Sequence, residues 1–175
     1  MEKTSGLKQD QLPLTEFFID ELKDIYGAER QLTKALPKLK RAATSPDLAM
    51  AFGDHLKVTE NQITRLEQIF ELLGEWPEAK RCEGMEGLIR EGETIIKDTE
   101  AGSSTRDVGL IVSAQKVEHY EIAAYGSLRQ LAKTMGKNEV SELLEQSLRE
   151  EKATDMLLSN LAETMINQEA RLEVG

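Results

Sequence analysis

Apolar residues recur every three or four positions through most of this chain, in segments that are long enough for helices of many turns. No segment shows the strict alternation of apolar and polar residues that is typical of a β-strand. In the four long segments, the residues in phase are, in chain order, Phe18, Leu22, Ile25, Leu32, Leu36 and Leu39; Phe52, Leu56, Thr59, Ile63, Leu66, Phe70 and Leu73; Ile111, Ala114, Ile122, Tyr125, Leu128 and Ala132; and Val140, Leu144, Leu148, Leu158 and Leu161. The pattern predicts an all-α protein.

Residues that start or stop helices separate these segments. Ser45 followed by Pro46 is a typical helix start, with serine at the N-cap and proline at the first helical position. Gly74 and Gly136 end the second and third long segments. Pro37 lies inside the first segment, where we expect it to kink or weaken the last turns.

The lengths of the connections predict how the helices are arranged. Short turns join the first helix to the second and the third to the fourth, so each pair should be antiparallel neighbours. About thirty residues connect the second long helix to the third, and they include a shorter apolar segment with Met85, Leu88, Ile89, Ile95 and Ile96. This predicts a ferritin-like four-helix bundle with one long, helix-containing crossover. We expect the bundle to occupy residues 14–168, between a flexible N-terminus, residues 1–13, and a frayed tail, residues 169–175.

Acidic residues interrupt the apolar faces near the middle of each long helix. The residues concerned are Glu29 on the first helix, Glu60 and His55 on either side of Thr59 on the second, Glu118 and Glu121 on the third, and Glu151 and Asp155 on the fourth. Because the midpoints of antiparallel helices of equal length coincide, these side chains could meet at one level. Two carboxylates 4 Å apart repel by about 4 kcal/mol at an effective dielectric near 20. A cation, bound protons or a basic side chain must therefore balance them, and a metal pair is the usual solution in this architecture.

Composition narrows the classes of function. The 22 basic and 32 acidic residues give a net charge of −10, which argues against nucleic acid or an anionic membrane surface as a main partner. The single cysteine, Cys82, excludes an internal disulfide framework. The chain begins without the apolar run of a signal peptide, and no apolar stretch is long enough to span a bilayer. We therefore expect a cytoplasmic protein.

Five segments together resemble a known family: "IYGAERQLTKALPKL", "HLKVTENQITRLEQIFELLG", "CEGMEGLI", "AQKVEHYEIAAYG" and "EEKATD". They are similar to the YciE/YciF-type bacterial stress proteins, a branch of the ferritin-like superfamily, and the similarity extends over about residues 14–165. The resemblance implies a rubrerythrin-like bundle, a homodimer, a cytoplasmic location and a di-metal centre. Glu29 then corresponds to the first-helix ligand, and Glu118 and Glu121 to the paired third-helix glutamates of rubrerythrin.

The chain also departs from the ferritin-like pattern. Ferritin-like oxidases carry Glu-x-x-His on the second and fourth helices, and this sequence contains no such motif. Lys57 and Glu60 stand where some relatives carry Glu and His, and Glu151 is followed three positions later by Thr154. A ligand set dominated by oxygen favours iron or manganese, with Mg²⁺ or Ca²⁺ as further candidates. The missing imidazoles count against oxygen activation.

The predicted metal ligands for two ions are Glu29, Glu60, Glu118, Glu121, Glu151 and Asp155. Glu118 has an alternative role as half of an ion pair with a lysine or arginine. The residues that could surround the ligands are Tyr26, His55, His119 and Tyr125. For the tyrosines, hydrogen bonding to carboxylates and plain aromatic packing are equally consistent with the pattern. For the histidines, structural hydrogen bonds between helices are more usual than metal ligation.

Two classes of function remain. The first is a stress-associated protein whose di-metal centre oxidises iron or disposes of peroxide. The second is a non-enzymatic helical bundle with a structural or vestigial metal site, which acts through an unknown protein partner. In both cases we expect a homodimer, to which the crossover segment and Trp76 contribute, because one crossover helix on one bundle would not easily bury all of its apolar residues.

Overall fold

A computed structural model describes residues 13–174, and these residues are helical without any β-strand. The helices are α1 (Pro13–Ala42), α2 (Pro46–Leu73), α3 (Glu83–Asp98), α4 (Ser104–Thr134) and α5 (Asn138–Leu161), and a π-helical turn (Ala162–Ile166) then leads into α6 (Asn167–Leu172). The all-α prediction is confirmed. The N-terminus predicted to be flexible, residues 1–13, lies outside the described residues except for Pro13.

The ends of α2 form as the sequence predicts. The Ser45 side chain accepts a hydrogen bond from the Leu48 backbone N–H, and Pro46 occupies the first turn. Gly74 ends the helix with a φ of 72°, a left-handed conformation that glycine adopts without steric cost. Pro37 does not end α1, which continues as a helix to Ala42.

The four long helices pack around one apolar core. Helix α1 packs along α2 and α4 packs along α5, while α2 also touches α5 and α1 touches α4. The shorter α3 lies against α1 and α4. Large side chains that are fully buried in this core include Phe18, Phe70, Ile69, Leu110 and Tyr125. No helix within residues 13–174 combines the length and the hydropathy needed to cross a lipid bilayer.

The segment between α2 and α3 is fastened to α1. The Lys80 backbone N–H donates to the Lys23 carbonyl oxygen at 3.0 Å. Two ion pairs flank this bond, Lys23 with Glu78 at 2.7 Å and Lys80 with Asp20 at 2.6 Å. The close approach depends on Gly27, because a Cβ atom at that position would lie 1.8 Å from the Lys80 carbonyl oxygen. The segment thereby fixes where α3 begins.

Helix α3 covers most of its apolar surface within the same chain. Met85 is buried, and Leu88, Ile89, Ile95 and Ile96 are partly buried against the core. Trp76, in the preceding segment, is 87% exposed. The homodimer that was expected to use this region remains a prediction.

Part of the predicted frayed tail is helical and contacts the rest of the protein. Residues 167–172 form α6, and the Glu173 carboxylate accepts hydrogen bonds from the backbone N–H groups of Ser104 and Thr105. A carboxylate at this position satisfies free N–H groups in the first turn of α4 and interacts favourably with the helix dipole.

The close contact at Gly27 leads to a stability prediction. We expect Gly27→Ala to lower the melting temperature by several degrees, because the new methyl group would displace the Lys80 backbone, and overpacking of this kind typically costs about 1–3 kcal/mol. Gly87→Ala in α3 is the matched control. Its Cβ would meet only the Arg90 side chain at 3.9 Å, so the helix-favouring alanine should leave stability unchanged or raise it. Equal melting temperatures for the two variants, measured by circular dichroism, would contradict the proposed contact.

Candidate metal centre

Four glutamates and one histidine from all four long helices point into the centre of the protein. Glu29 comes from α1, Glu118 and Glu121 from α4, and Glu151 from α5, and all four are buried. His55 comes from α2 and is also buried. Each glutamate lies on the apolar face of its helix, so the packing that buries the neighbouring leucines and isoleucines also buries the carboxyl groups.

Four of these residues could bind one ion together. His55, Glu118, Glu121 and Glu151 each offer one ligand atom, and these atoms lie within 4.8 Å of one another. The His55 Nε2 atom is 3.3 Å from Glu118 Oε1 and 3.9 Å from Glu151 Oε2. The sequence pattern placed His55 in the surroundings of the site, whereas the structure places its ring nitrogen among the carboxylates.

A hydrogen bond from Tyr125 orients Glu29 beside this group. The buried Tyr125 hydroxyl donates to Glu29 Oε1, which is the role that the sequence suggested for this tyrosine. The negative charge of Glu29 contributes to the raised pKa of Glu121, so these two carboxyl groups also lie close together. Glu29, Glu118, Glu121, Glu151 and His55 are called the central cluster below.

Gln62 is a contact residue that the sequence reasoning missed. Its side-chain amide donates to Glu151 Oε1, and both Gln62 and Thr59 are fully buried. A signal was present in the sequence, because Thr59, Gln62 and Leu66 continue one helical face at intervals of three and four residues. An amide at this position fixes the orientation of the Glu151 carboxylate.

Several predicted site residues lie elsewhere. Glu60 is exposed, because it follows the buried Thr59 and is therefore rotated by about 100° around the helix. Asp155 lies at the α4–α5 boundary, where its Oδ1 is 3.3 Å from Nε2 of the exposed His119. The Tyr26 hydroxyl donates to Glu67 at 2.8 Å and not to a carboxylate of the central cluster. The structure therefore does not bring these side chains into the cluster.

Burial strongly disfavours negative charge in the central cluster. Loss of solvation is the largest cause that raises the pKa values of Glu29, Glu118 and Glu121 well above 4.5, and the charge of Glu151 is the next. The charges of Glu29 and Asp155 also contribute to the raised pKa of Glu118. Within residues 13–174, no lysine or arginine forms an ion pair with any of the four glutamates. The alternative in which Glu118 pairs with a basic side chain therefore has no support.

Hydrogen bonding fixes which nitrogen of His55 faces the cluster. The Thr154 hydroxyl has one proton, and it donates to the Glu150 carbonyl oxygen at 3.2 Å. Thr154 can therefore only accept from His55 Nδ1, which lies 3.3 Å away. Burial lowers the pKa of His55, so the ring is neutral and its Nε2 lone pair points towards the carboxyl groups. An imidazole that is oriented by its other nitrogen is a common arrangement for a metal ligand.

The unpaired polar atoms test whether metal ions fit this cluster. Ten buried side-chain nitrogen or oxygen atoms in the described residues have no hydrogen-bond partner. Six of them belong to the central cluster, namely Glu29 Oε2, His55 Nε2, Glu118 Oε2, Glu121 Oε1, Glu121 Oε2 and Glu151 Oε2. Unpaired buried acceptors are costly, and such a concentration at one level fits the coordination of cations.

Comparison with known proteins agrees with the resemblance noted in the sequence. A family model with the description "Domain of unknown function (DUF892)" matches residues 13–171. "Protein YciF" of Escherichia coli (strain K12) is 45% identical over 158 residues, which cover 90% of this chain and 95% of that protein.

Solved structures give the same result. The crystal structure of the E. coli stress protein YciF matches with a TM-score of 0.84 at 45% identity, over 89% of this chain and 98% of that one. YcfI, a putative structural protein from Rhodopseudomonas palustris, matches with a TM-score of 0.81 at 38% identity, over 87% of this chain and 97% of that one. A protein from Xanthomonas campestris, at 21% identity and a TM-score of 0.69, covers 89% of this chain and 94% of its own and shares the fold.

The pKa shifts predict how pH affects the metal-free protein. The raised pKa values of Glu29, Glu118 and Glu121 give stability that is complete below their unfolded value of 4.5 and is lost as pH rises through the folded values. His55 acts in the opposite direction, because its lowered pKa gives stability above its unfolded value of 6.5 that is lost as pH falls. With three groups opposing one, we expect the melting temperature to fall between about pH 5 and about pH 8.

The measurement is thermal unfolding of chelator-treated protein across this pH range. Glu118→Gln removes one of the three carboxyl groups and should make the decline shallower. A melting temperature of the wild-type metal-free protein that rises with pH over the same range would contradict the assignment.

Proposed function

This chain belongs to the family described as Domain of unknown function (DUF892), and we propose that it binds two metal ions in its central cluster. The observation that carries the proposal is the set of six unpaired polar atoms that four glutamates and one histidine direct to one level of the protein. No other group of three or more acidic, histidine or cysteine side chains in the described residues offers such a ligand set.

Charge balance supports two ions rather than one. Four ionised glutamates carry four negative charges, the neutral His55 adds none, and two divalent cations would compensate them fully. Glu118, Glu151 and His55 would hold one ion. Glu29 would hold the other, and Glu121 could serve both because neither of its oxygens has a partner. Carboxylate oxygens and one imidazole suit iron or manganese.

The fold supports the same proposal. We infer a ferritin-like arrangement in which α1, α2, α4 and α5 are the bundle helices and α3 lies within the long connection between α2 and α4. In that architecture, inward-facing carboxylates from the bundle helices are the usual metal ligands. We also propose that the protein is a homodimer. Trp76, its most exposed large aromatic side chain, is available for the interface between the two copies.

Iron oxidation or peroxide disposal is the reaction that we propose for the centre. A bound metal pair supplies two adjacent redox-active ions that can share the electrons of an oxygen species. The protein contributes buried surroundings and fixed orientations, with Gln62 on Glu151, Thr154 on His55 and Tyr125 on Glu29. The Tyr125 hydroxyl has one proton and donates it to Oε1 of Glu29. Oε2 of Glu29 therefore has no hydrogen-bond partner and is available to bind an ion.

A structural metal site is the second candidate. The observation that favours it is the single imidazole of the cluster. On α2 the buried pair with the Glu-x-x-His spacing is Thr59 and Gln62, whereas Lys57 and Glu60, which the sequence suggested for these positions, are exposed. On α5 the pair is Glu151 and Thr154, so neither helix supplies the histidine that ferritin-like oxidases carry. In this case the ions would stabilise the bundle without turnover, and the protein would act through a partner.

Metal binding is tested first. We expect metal-free wild-type protein to take up two Mn²⁺ per chain in equilibrium dialysis and to gain several degrees in melting temperature, since a ligand that binds only the folded state stabilises it. Glu118→Gln should lose most of this gain. Glu60→Gln is the matched control, because it removes an acidic group that is exposed and outside the cluster. Equal losses in the two variants would show that the binding is not at the central cluster.

Turnover separates the two candidate functions. For the oxidase proposal, ferrous iron added with oxygen or peroxide should be oxidised faster than in buffer, as followed by stopped-flow absorbance in the near ultraviolet. Glu29→Gln and Glu118→Gln should reduce the rate at least tenfold, while Glu60→Gln retains it. Oxidation at the buffer rate in a protein that still binds two Mn²⁺ would establish the structural site instead.

A further inference from the structure

The central cluster has no direct opening to solvent, so a cation must cross a boundary between two helices. Glu29, Glu121 and Glu151 are fully inaccessible, and Glu118 and His55 are nearly so. Each boundary between neighbouring long helices is closed by polar side chains near the cluster. The strength of these closures differs.

Two boundaries are closed by well-bonded side chains. Between α2 and α5, Arg65 forms two 2.8 Å hydrogen bonds to the Glu150 carboxylate and a third of 2.7 Å to Ser147. Between α1 and α2, the buried Tyr26 donates to Glu67 at 2.8 Å and packs edge-on against a phenylalanine of α2. A bidentate guanidinium pair and a packed aromatic ring resist opening.

The boundary between α1 and α4 is covered by a further layer. Tyr120 donates to Asp24 at 2.8 Å, and its hydroxyl lies 2.9 Å from the Cys82 sulfur at the start of α3. Opening this boundary would require α3 to move as well.

Helices α4 and α5 make the most extensive contact of any helix pair, but the polar closure between them near the cluster is the least tightly bonded. This closure is the 3.3 Å contact between Asp155 and the exposed His119, together with the Gln115 amide, which donates to the same Oδ1 atom of Asp155 at 3.1 Å and to the Ser159 hydroxyl at 2.8 Å. The other oxygen, Oδ2, receives no hydrogen bond from a side chain within residues 13–174. An exposed side chain changes rotamer in picoseconds to nanoseconds, so His119 can leave without disturbing the core.

These residues lead directly to the cluster. Asp155 is one helical turn after Glu151, and His119 is adjacent to Glu118 in the chain. Side-chain exposure decreases from 69% at His119 to 22% at Asp155 and 2% at Glu118, whose Oε2 atom has no hydrogen-bond partner. Asp155 is close enough to Glu118 for its charge to contribute to the raised pKa of Glu118.

We infer that Asp155 and His119 form the entry site for cations, in which Asp155 attracts an incoming ion and His119 closes the path behind it. This inference rests on the proposed metal binding by the central cluster. Asp155, which the sequence suggested as a permanent ligand, is thereby a residue that an ion contacts in passing. Asp155 therefore affects the rate at which the metal ion enters, and the central cluster alone coordinates the bound ion.

An entry site and a ligand have opposite effects on release. Asp155, as the residue that attracts the ion, lowers the barrier in both directions, so its loss slows loading and does not speed release. His119 closes the path, so its loss removes a barrier and speeds both. A residue that coordinates the bound ion stabilises the complex, so its loss speeds release. The sign of the change in the release rate therefore separates the two roles.

The test uses Tb³⁺ as the probe, with stopped-flow detection of its luminescence on excitation of tyrosine. Tyr125, hydrogen-bonded to Glu29, is the nearby sensitiser. Loading is measured on mixing metal-free protein with Tb³⁺, and release on mixing loaded protein with excess chelator. We expect Asp155→Asn to load about tenfold more slowly, because one attracting charge at the path is lost, and to release no faster than wild type. We expect His119→Ala to load and release faster than wild type.

The control variant is Glu145→Gln. Glu145 lies on the same α4–α5 boundary, ten residues from Asp155 and thus about 15 Å away along α5. The substitution Glu145→Gln removes one negative charge, as Asp155→Asn does. We expect it to load and release like wild type. If Asp155→Asn and His119→Ala match this control, the entry site is wrong although the metal centre stands. If Asp155→Asn releases Tb³⁺ faster than wild type, Asp155 is a ligand and the inference is overturned.

A separate result would overturn the metal centre itself. Luminescence of wild-type protein that Glu118→Gln does not reduce would show that Tb³⁺ binds outside the central cluster. Both the proposed function and the entry site would then fail together.

Discussion

The cost of burying negative charge dominates the centre of this protein. Four carboxyl groups are buried there, and loss of solvation raises the pKa values of Glu29, Glu118 and Glu121. No lysine or arginine of the described chain is paired with any of the four. Protons or metal ions must therefore supply the balance. The surrounding contacts follow from this requirement, because Tyr125, Gln62 and Thr154 each fix one group of the cluster and leave other polar atoms free.

The outer parts of the fold hold this unfavourable centre in place. The segment before α3 is bonded to α1 at Lys80, and Asp107 of α4 accepts hydrogen bonds from the Thr44 and Ser45 backbone N–H groups at the start of α2. Arg65 joins α2 to α5 through Glu150. Such contacts keep the helices in register, so their inward-facing carboxylates meet at one level. Proteins commonly retain a destabilised site of this kind for function and compensate for it elsewhere.

Helical periodicity was sufficient to predict the long helices and most of the cluster, because a glutamate on the apolar face of a helix is buried together with the leucines of that face. It failed where a residue lies at the edge of the apolar face. Glu60 and His55 both flank Thr59, yet the structure exposes one and buries the other. Asp155 shares a face with Glu151 but diverges from it towards the α4–α5 boundary. Those outcomes depend on helix rotation and on partners from other helices, which a single sequence does not specify.

Infrared difference spectroscopy tests the balance of charge most directly. At neutral pH, metal-free protein should show the carbonyl stretch of protonated carboxylic acids in its interior, because burial raises the pKa values of Glu29, Glu118 and Glu121. Addition of Mn²⁺ should remove this band and produce carboxylate bands, with protons released to the solvent. Glu118→Gln should reduce the initial band. A metal-free protein without any protonated carboxyl signal, or a band that persists at saturating Mn²⁺, would contradict the account.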